Sequence, residues 1–212
     1  NLGTALIDIG GGTTDIIVYY NNSILHTGAV PLGGTNITND IAHGIRCPLD
    51  EAETIKCEYG IAKESLALDE KNISIIGKNG RSDLEISQKD IAKIIEPRMK
   101  EIFILAKNEI SNTEHDDNLT FGIVITGGGS KLKHIEDLAS DIFQQEIKLG
   151  QPHSINGIND IITNPRYATT IGLIKYALEN KKSFLEIETI NESFISKIKN
   201  NLEEFINYLN IK

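Results

Sequence analysis

Residues 8–15 read DIGGGTTD and join two runs that favour β-strands, LGTALIDI at 2–9 and TDIIVYY at 14–20. A third such run, SILHTGAV at 23–30, follows the turn-forming pair Asn21-Asn22. The connections between these runs are too short for a helix, so the pattern predicts an antiparallel meander rather than a βαβ unit. The glycines of DIGGGTTD therefore lie at the tip of a predicted hairpin.

Glycines at a hairpin tip let the backbone adopt positive φ angles and come close to a ligand. Successive backbone amides can then point into one concavity, which suits phosphate oxygens. Asp8, at the end of the first strand, is suited to hold Mg²⁺ through water, because this ion keeps much of its hydration shell. From these residues alone, a plain glycine-rich hairpin is an equal alternative to a phosphate-binding loop.

A second glycine cluster, Gly127-Gly128-Gly129, follows a continuous apolar strand, FGIVIT at 121–126, and precedes a predicted helix. A helix N-terminus offers unpaired N–H groups and the positive end of a dipole to an anion. The spacing matches neither the GxGxxG dinucleotide fingerprint nor the GxxxxGK[ST] phosphate loop. The alternative is a tight junction between strand and helix that binds nothing.

Apolar residues at helical spacing predict several helices outside the β-prone runs. The first predicted helix covers 35–45. The second is capped by Asp50 and closed by Gly60. A long helix follows Ser87, and a further helix covers 167–179. Pro97 lies inside the long helix and is expected to kink it or divide it in two. Between these helices, short β-like pieces over 61–86 predict a small inserted subdomain.

Glu53 and Lys56 lie three residues apart in the second predicted helix and therefore share one of its faces. A carboxylate and an ammonium in this arrangement could hold the hydroxyls of a ribose. A surface ion pair, worth less than about 1 kcal/mol, is the alternative that these two residues favour when taken alone.

The composition excludes several classes of protein. Across 212 residues, 21 Lys and Arg against 30 Asp and Glu leave a net charge of −9, which argues against sequence-independent nucleic-acid binding. No apolar run is long enough to predict a membrane span. Cys47 and Cys57 have no metal-ligand companions, and the scattered histidines indicate no catalytic set. The sole methionine is Met99, so we expect the chain to be a piece of a longer protein.

In this order the motifs resemble the second lobe of the actin-like (ribonuclease H-like) ATPase fold. That α/β fold has a mixed sheet with helices and a small inserted α+β subdomain. Residues 8–14 resemble its second phosphate loop, 126–131 its adenosine motif and 165–173 its last connecting helix. Three further segments narrow the resemblance to the FtsA family of bacterial cell-division proteins. They are GGTNITNDIA at 33–42, AETIKCEYG at 52–60 and IEPRMKEI at 95–102.

The resemblance implies a site for ATP and Mg²⁺. The residues implied to contact the β- and γ-phosphates are Gly10, Gly11, Gly12 and Thr13, with Asp8 serving Mg²⁺ through water. Those implied to line the adenosine side are Gly127, Gly128, Gly129 and Lys131. Those implied to reach the ribose and base are Gly34, Glu53 and Lys56. No catalytic residue is assigned.

The resemblance also implies a division of the chain. The implied segments are a nucleotide-binding core (1–51 and 112–164), a small inserted subdomain (52–111), a connecting helix (165–179), a linker (180–191) and a terminal amphipathic helix (192–212). The small subdomain would dock the C-terminal tail of FtsZ, the tubulin-like division protein. Arg98 is our candidate contact there, because a guanidinium suits an acidic peptide. A surface arginine without a partner role is an equal alternative.

The terminal segment 192–212 has apolar residues along one side of a predicted helix: Phe194, Ile198, Leu202, Phe205, Ile206 and Leu209. It is too short and too polar to span a bilayer, but it can lie in the membrane interface. It resembles the membrane-targeting helix of the FtsA family in position and pattern. A helix packed on the domain or on a partner is the alternative.

The resemblance as a whole implies an ATP-binding, filament-forming adaptor that tethers FtsZ to the cytoplasmic face of the cell membrane at the division septum. The intact protein would be at most a weak ATPase. The chain alone is expected to bind ATP weakly and not to hydrolyse it, because this superfamily binds nucleotide between two lobes and the first lobe is missing from the sequence. Other actin-like proteins remain alternatives: a sugar kinase, a chaperone, the MreB cell-shape protein or a pilus-assembly adaptor.

Overall fold

A computed structural model of the chain describes residues 3–21, 23–68, 72–75, 83–112, 119, 121–153 and 163–180. The chain divides into two compact units, residues 1–169 and 170–212. Of the second unit, the described part is the continuation of a helix that begins at Ala168. The predicted amphipathic helix at 192–212 lies outside the described residues, as does the predicted linker beyond Asn180. The domain boundaries predicted from the sequence stay predictions.

The first unit is built on a mixed five-stranded sheet with the strand order β3-β2-β1-β6-β7. Its strands are β1 (Gly3–Ile9), β2 (Thr14–Tyr20), β3 (Ser23–Val30), β6 (Ile123–Thr126) and β7 (Ile147–Leu149). A separate antiparallel pair consists of β4 (Asn72–Ile75) and β5 (Leu84–Ser87). The helices are α1 (Gly34–Ile45), α2 (Leu49–Tyr59), α3 (Gln88–Ser111), α4 (Ile135–Phe143) and α5 (Ala168–Glu179). This arrangement confirms the predicted α/β class.

The predicted meander is present, since β1 pairs antiparallel with β2 and β2 pairs antiparallel with β3. On its other side β1 pairs in parallel with β6, so that Asp8 lies opposite Thr126. The C-terminal ends of β1 and β6 consequently meet at one edge of the sheet. Both glycine clusters begin at that edge.

Buried and partly exposed residues alternate along β1, which shows which face of the sheet meets the helices. Ala5, Ile7 and Ile9 are fully buried, whereas the residues between them are partly exposed. The buried face packs with α1 and α3, whose apolar stripes include Ile37 and Met99, both also fully buried. Burial of such side chains contributes about 1.5–3 kcal/mol each, so this side of the sheet holds the unit together.

Helix α3 runs without a break from Gln88 to Ser111. Ser87 caps it as predicted, and the hydroxyl oxygen accepts a hydrogen bond from the backbone N–H of Asp90 at 3.1 Å. Pro97 lies inside the helix without dividing it, so the expected division into two helices is wrong. The proline is exposed, while Ile95 and Met99 on either side are fully buried. Packing on the buried side therefore outweighs the roughly 3 kcal/mol that an internal proline costs.

Two helix starts differ from the prediction. Pro48, not Asp50, occupies the N-cap of α2, and Asp50 lies in the first turn, where its charge complements the helix dipole. The second glycine cluster leads into a short 3₁₀ turn, Gly128–Lys131, rather than directly into an α-helix. α4 begins only at Ile135, after His134 has adopted a left-handed conformation with φ 60°. The argument from an α-helix dipole at these glycines is therefore wrong.

No helix in the described part of the chain is both long enough and apolar enough to cross a membrane.

Candidate functional site

The first glycine loop is held by the start of α1. The N–H groups of Gly34 and Thr35 donate to the carbonyl oxygens of Gly10 and Gly11 at 2.9 and 2.8 Å. A trans peptide places its N–H opposite its C=O, and no cis peptide occurs in the described residues. The N–H groups of Gly11 and Gly12 consequently point away from α1. Two successive amides with a common direction can bind the oxygens of an anion.

The two glycine loops border one cavity of about 550 Å³, which is the size of a typical small-molecule site. Most of the residues predicted for the site line it: Asp8, Gly10, Gly11, Gly34, Glu53, Lys56, Gly127, Gly128, Gly129 and Lys131. Gly12 and Thr13 lie in the same loop but not in the lining. Residues that the sequence did not indicate also line it: Asp15, Ile37, Cys57, Leu132, Arg166 and Thr169.

Lys56 is bound on all sides by the protein itself. Its ammonium donates to the carbonyl oxygen of Gly34 at 2.9 Å, to the hydroxyl of Thr38 at 2.8 Å and to Glu53 Oε2 at 2.7 Å. An ammonium has only three N–H donors, so each of them already has an acceptor. The Lys56 side chain is 12% exposed and that of Glu53 is 50% exposed. Glu53 is therefore the more accessible of the two to a ligand.

Glu53 remains an acceptor over a wide pH range. Partial burial by itself would raise the pKa of its carboxyl, but hydrogen bonds from Lys56 and Thr38 outweigh burial and lower the pKa. A lowered pKa keeps the group ionised, so this network is lost only as the pH falls through the folded-state pKa. At neutral pH a carboxylate is thus available to accept hydrogen bonds from hydroxyl groups.

The glycines of the site fall into two groups. Gly127 has φ +85°, and a side chain there would also stand 2.5 Å from the carbonyl oxygen of Ile9. A Cβ on Gly129 would stand 2.8 Å from the Cβ of Ile9. At Gly128, by contrast, the nearest neighbour of an added Cβ would be Arg166 Cγ at 3.9 Å, which is an ordinary contact. Packing therefore requires glycine at 127 and 129 but not at 128.

Thr169 is the last residue of the first unit, and it lines the cavity. Its hydroxyl donates to Asp8 Oδ2 at 2.7 Å, across 161 positions of sequence. It lies in the first turn of α5, directly after the 3₁₀ turn Pro165–Tyr167. The resemblance marks this segment as a connecting helix, but no local pattern singles out Thr169 or Arg166. Only the fold brings them to the cavity.

Arg98, the predicted partner contact, does not line the cavity. Its guanidinium binds Asp40 of α1 through two hydrogen bonds, of 2.7 Å from Nε and 3.0 Å from Nη2, and Glu101 through one of 2.5 Å. Hydrogen bonding to Asp40 raises the pKa of Arg98 above its ordinary value. The side chain is 26% exposed, so the pair connects α3 to α1 and still reaches solvent.

Known proteins match this chain over most of its length. Residues 5–172 match the family model described as Cell division protein FtsA. Cell division protein FtsA of Pseudomonas aeruginosa is 37% identical over 195 residues, which are 92% of this chain and 47% of that protein. Its counterpart in Neisseria meningitidis is 41% identical over 179 residues, 84% of this chain and 43% of that protein. The chain thus spans about half the length of the curated relatives it matches.

A solved structure shares the fold at lower identity. MreB5 of Spiroplasma citri, bound to AMPPNP, superposes with a TM-score of 0.72 and is 23% identical. The match covers 87% of this chain and 55% of that one. This likeness confirms the actin-like fold that the sequence motifs predict.

The same substitution should have a large effect on stability in one group of glycines and almost none in the other. Gly127→Ala should destabilise the protein by about 1–3 kcal/mol, because it combines a disfavoured backbone angle with contacts to Ile9 and Asp8. Gly128→Ala is the matched control and should change stability by less than about 0.5 kcal/mol. Urea unfolding followed by circular dichroism measures both. Equal destabilisation by the two variants would contradict the distinction.

Proposed function

The chain belongs to the FtsA family of bacterial cell-division proteins, and we propose that it contributes one wall of an ATP site in a membrane-attached adaptor for FtsZ. The observation that carries the nucleotide proposal is the convergence of two glycine loops on one cavity. The amides of Gly11 and Gly12 share a direction that suits phosphate oxygens. Family membership also separates this proposal from the other actin-like proteins considered above.

Each side of the cavity has its own role in this proposal. Gly10 to Thr13 bind the β- and γ-phosphates. Gly127 to Gly129 and Lys131 border the adenosine. Gly34, Glu53 and Lys56 border the ribose and base, with Glu53 as the accessible acceptor and Lys56 holding it in place. AMPPNP in MreB5, which has the same fold, supports a nucleotide as the ligand.

The residues of the site fit Mg²⁺ held through water. Asp8 and Asp15 are paired across the β1–β2 hairpin, and both line the cavity. No group of three or more metal-ligating side chains occurs among the residues that the structure describes. Mg²⁺ usually keeps several waters and relies on one or two carboxylates together with substrate phosphates, so a full protein cage is not needed. When bound, the ion would neutralise phosphate charge.

The affinity of the chain alone tests the nucleotide proposal. We expect a dissociation constant for MgATP weaker than about 1 μM, equivalent to roughly −8 kcal/mol, and no hydrolysis, because the superfamily binds nucleotide between two lobes. Isothermal titration calorimetry measures the affinity. Gly128→Ala should weaken it several-fold by placing a methyl group in the cavity. Gly172→Ala, whose added Cβ has no neighbour within 4 Å, is the control. Sub-micromolar affinity for this chain would contradict the single-wall assignment.

The segment 52–111 is proposed to dock the acidic C-terminal peptide of FtsZ, with Arg98 as a contact. Glu101 is 51% exposed and binds Arg98 through one nitrogen, whereas Asp40 is 30% exposed and binds through two. An incoming carboxylate would therefore replace Glu101 more easily than Asp40. Arg98 could in this way remain joined to α1 while it contacts the peptide.

Peptide binding separates this role of Arg98 from a structural one. Arg98→Ala should weaken binding of a fluorescent FtsZ C-terminal peptide by about tenfold, which corresponds to roughly 1.4 kcal/mol for a charged hydrogen bond. Added salt should reduce the difference, since the charge of a partly exposed guanidinium is screened. Asp40→Asn is the control, because it weakens the same internal pair and keeps the guanidinium. Equal losses in both variants would show that Arg98 acts only within the fold.

The terminal segment 192–212, outside the described residues, is proposed to attach the protein to the cytoplasmic face of the membrane at the septum. One short amphipathic helix binds lipid weakly, so attachment depends on many copies acting together in a self-assembled filament. The chain's net charge of −9 leaves nucleic acid out of its proposed partners.

Vesicle co-sedimentation tests the membrane proposal. The full-length gene product should pellet with vesicles of bacterial lipid composition, and a variant truncated after residue 191 should remain in the supernatant. Leu202→Asp within the full-length protein is a second variant, because it places a charge in the apolar side of the helix. Equal pelleting of all three proteins would remove the membrane role of this segment.

A further inference from the structure

Thr169, at the C-terminal end of the first unit, donates a hydrogen bond from its hydroxyl to Asp8. The distance from Thr169 Oγ1 to Asp8 Oδ2 is 2.7 Å. The approach of Thr169 is set by the preceding turn, in which the Asn164 side chain accepts a hydrogen bond from the backbone N–H of Arg166 at 3.1 Å. Asp8 and Thr169 both line the cavity. Neither Asp8 nor Thr169 is buried, so the bond faces the space where a ligand would lie.

One oxygen of Asp8 is hydrogen-bonded, and the other lies beside a glycine. Its Oδ2 accepts from Thr169, and a side chain added at Gly127 would collide with its Oδ1. An aspartate side chain has two rotatable bonds, so it would otherwise sample several rotamers at a partly exposed position. The hydrogen bond from Thr169 favours one orientation before any ion arrives.

The hydroxyl also retains an acceptor. A threonine hydroxyl has one O–H donor and two lone pairs, and its donor is already committed to Asp8. The oxygen can therefore accept a hydrogen bond from a water molecule at the same time. Neighbouring water ligands of an octahedral Mg²⁺ lie about 2.9 Å apart, since each is about 2.0–2.1 Å from the ion. That spacing is close to the 2.7 Å between the Thr169 and Asp8 oxygens.

We propose that Thr169 is a positioning residue for hydrated Mg²⁺, orienting the Asp8 carboxylate and accepting a hydrogen bond from a second metal-bound water. This inference rests on the proposed nucleotide site and assigns a new residue to it. A residue that only anchored the start of α5 would contribute to stability without affecting the metal. The two roles therefore differ in the Mg²⁺ dependence of nucleotide binding.

Calorimetry of the full-length gene product with ATP, in Mg²⁺ and in EDTA, distinguishes these roles. Thr169→Val removes the hydroxyl at nearly constant volume and should weaken ATP binding about three- to tenfold in Mg²⁺, the loss expected for one or two hydrogen bonds, with no change in EDTA. Thr169→Ser keeps the hydroxyl and should bind as the wild type does. Thr170→Val is the control, because Thr170 is exposed and does not line the cavity. Mn²⁺ affinity of the ATP complex, measured by electron paramagnetic resonance, should fall in parallel.

Asp8→Asn separates failure of this inference from failure of the proposed site. If Asp8→Asn removes the Mg²⁺ dependence and Thr169→Val leaves it intact, the role of Thr169 is overturned while the site stands. Equal losses for Thr169→Val in Mg²⁺ and EDTA would also overturn it, because they indicate a structural role. If the wild type binds no ATP, or if Asp8→Asn leaves the Mg²⁺ dependence unchanged, the proposed metal site is overturned together with the inference.

Discussion

The parallel pairing of β1 with β6 is the constraint on which the site depends. It aligns Asp8 with Thr126 and so places the glycine loops that follow these strands at one edge of the sheet. A shift of the register by one residue would turn Ile7 and Ile9 out of the core, so burial on the α1 and α3 side makes the register specific. The cavity is thus a consequence of how the core packs. Its walls lie far apart in the sequence and are brought together only by the strands beneath them.

The glycine motifs combine two requirements that the sequence cannot separate. Gly127 and Gly129 are glycines because Ile9 leaves no room for a side chain. Gly128 and Gly12 have room for one, so packing does not explain their identity. The structural interpretation therefore explains Gly127 and Gly129, whereas the ligand-binding interpretation of Gly12 and Gly128 stays a prediction. Adjacent glycines in one motif can therefore be present for different physical reasons.

Charged side chains at the cavity are organised by one another before any ligand binds. Lys56 joins α2 to α1 through the Gly34 carbonyl and the Thr38 hydroxyl, and it holds Glu53. Asp8 is held in the same manner by Thr169. Hydrogen bonds consequently orient each carboxylate, and neither residue is fully buried. Such preorganisation reduces the ordering cost that a ligand would otherwise incur on binding.

Local patterns in the sequence were sufficient for the meander, for the helices α1 and α3, and for the two glycine loops, because each depends on residues close together in the chain. They failed where distant packing decided the outcome. Pro97 lies in an unbroken helix because Ile95 and Met99 are buried on its other side. Helical spacing placed Glu53 beside Lys56, but it did not indicate the contacts of Lys56 with Gly34 and Thr38 on another helix. The bond between Thr169 and Asp8 could not be predicted either, because no local spacing encodes a contact across 161 positions. The residue types of the site were therefore determined by the sequence, and the tertiary structure alone decided which of them meet.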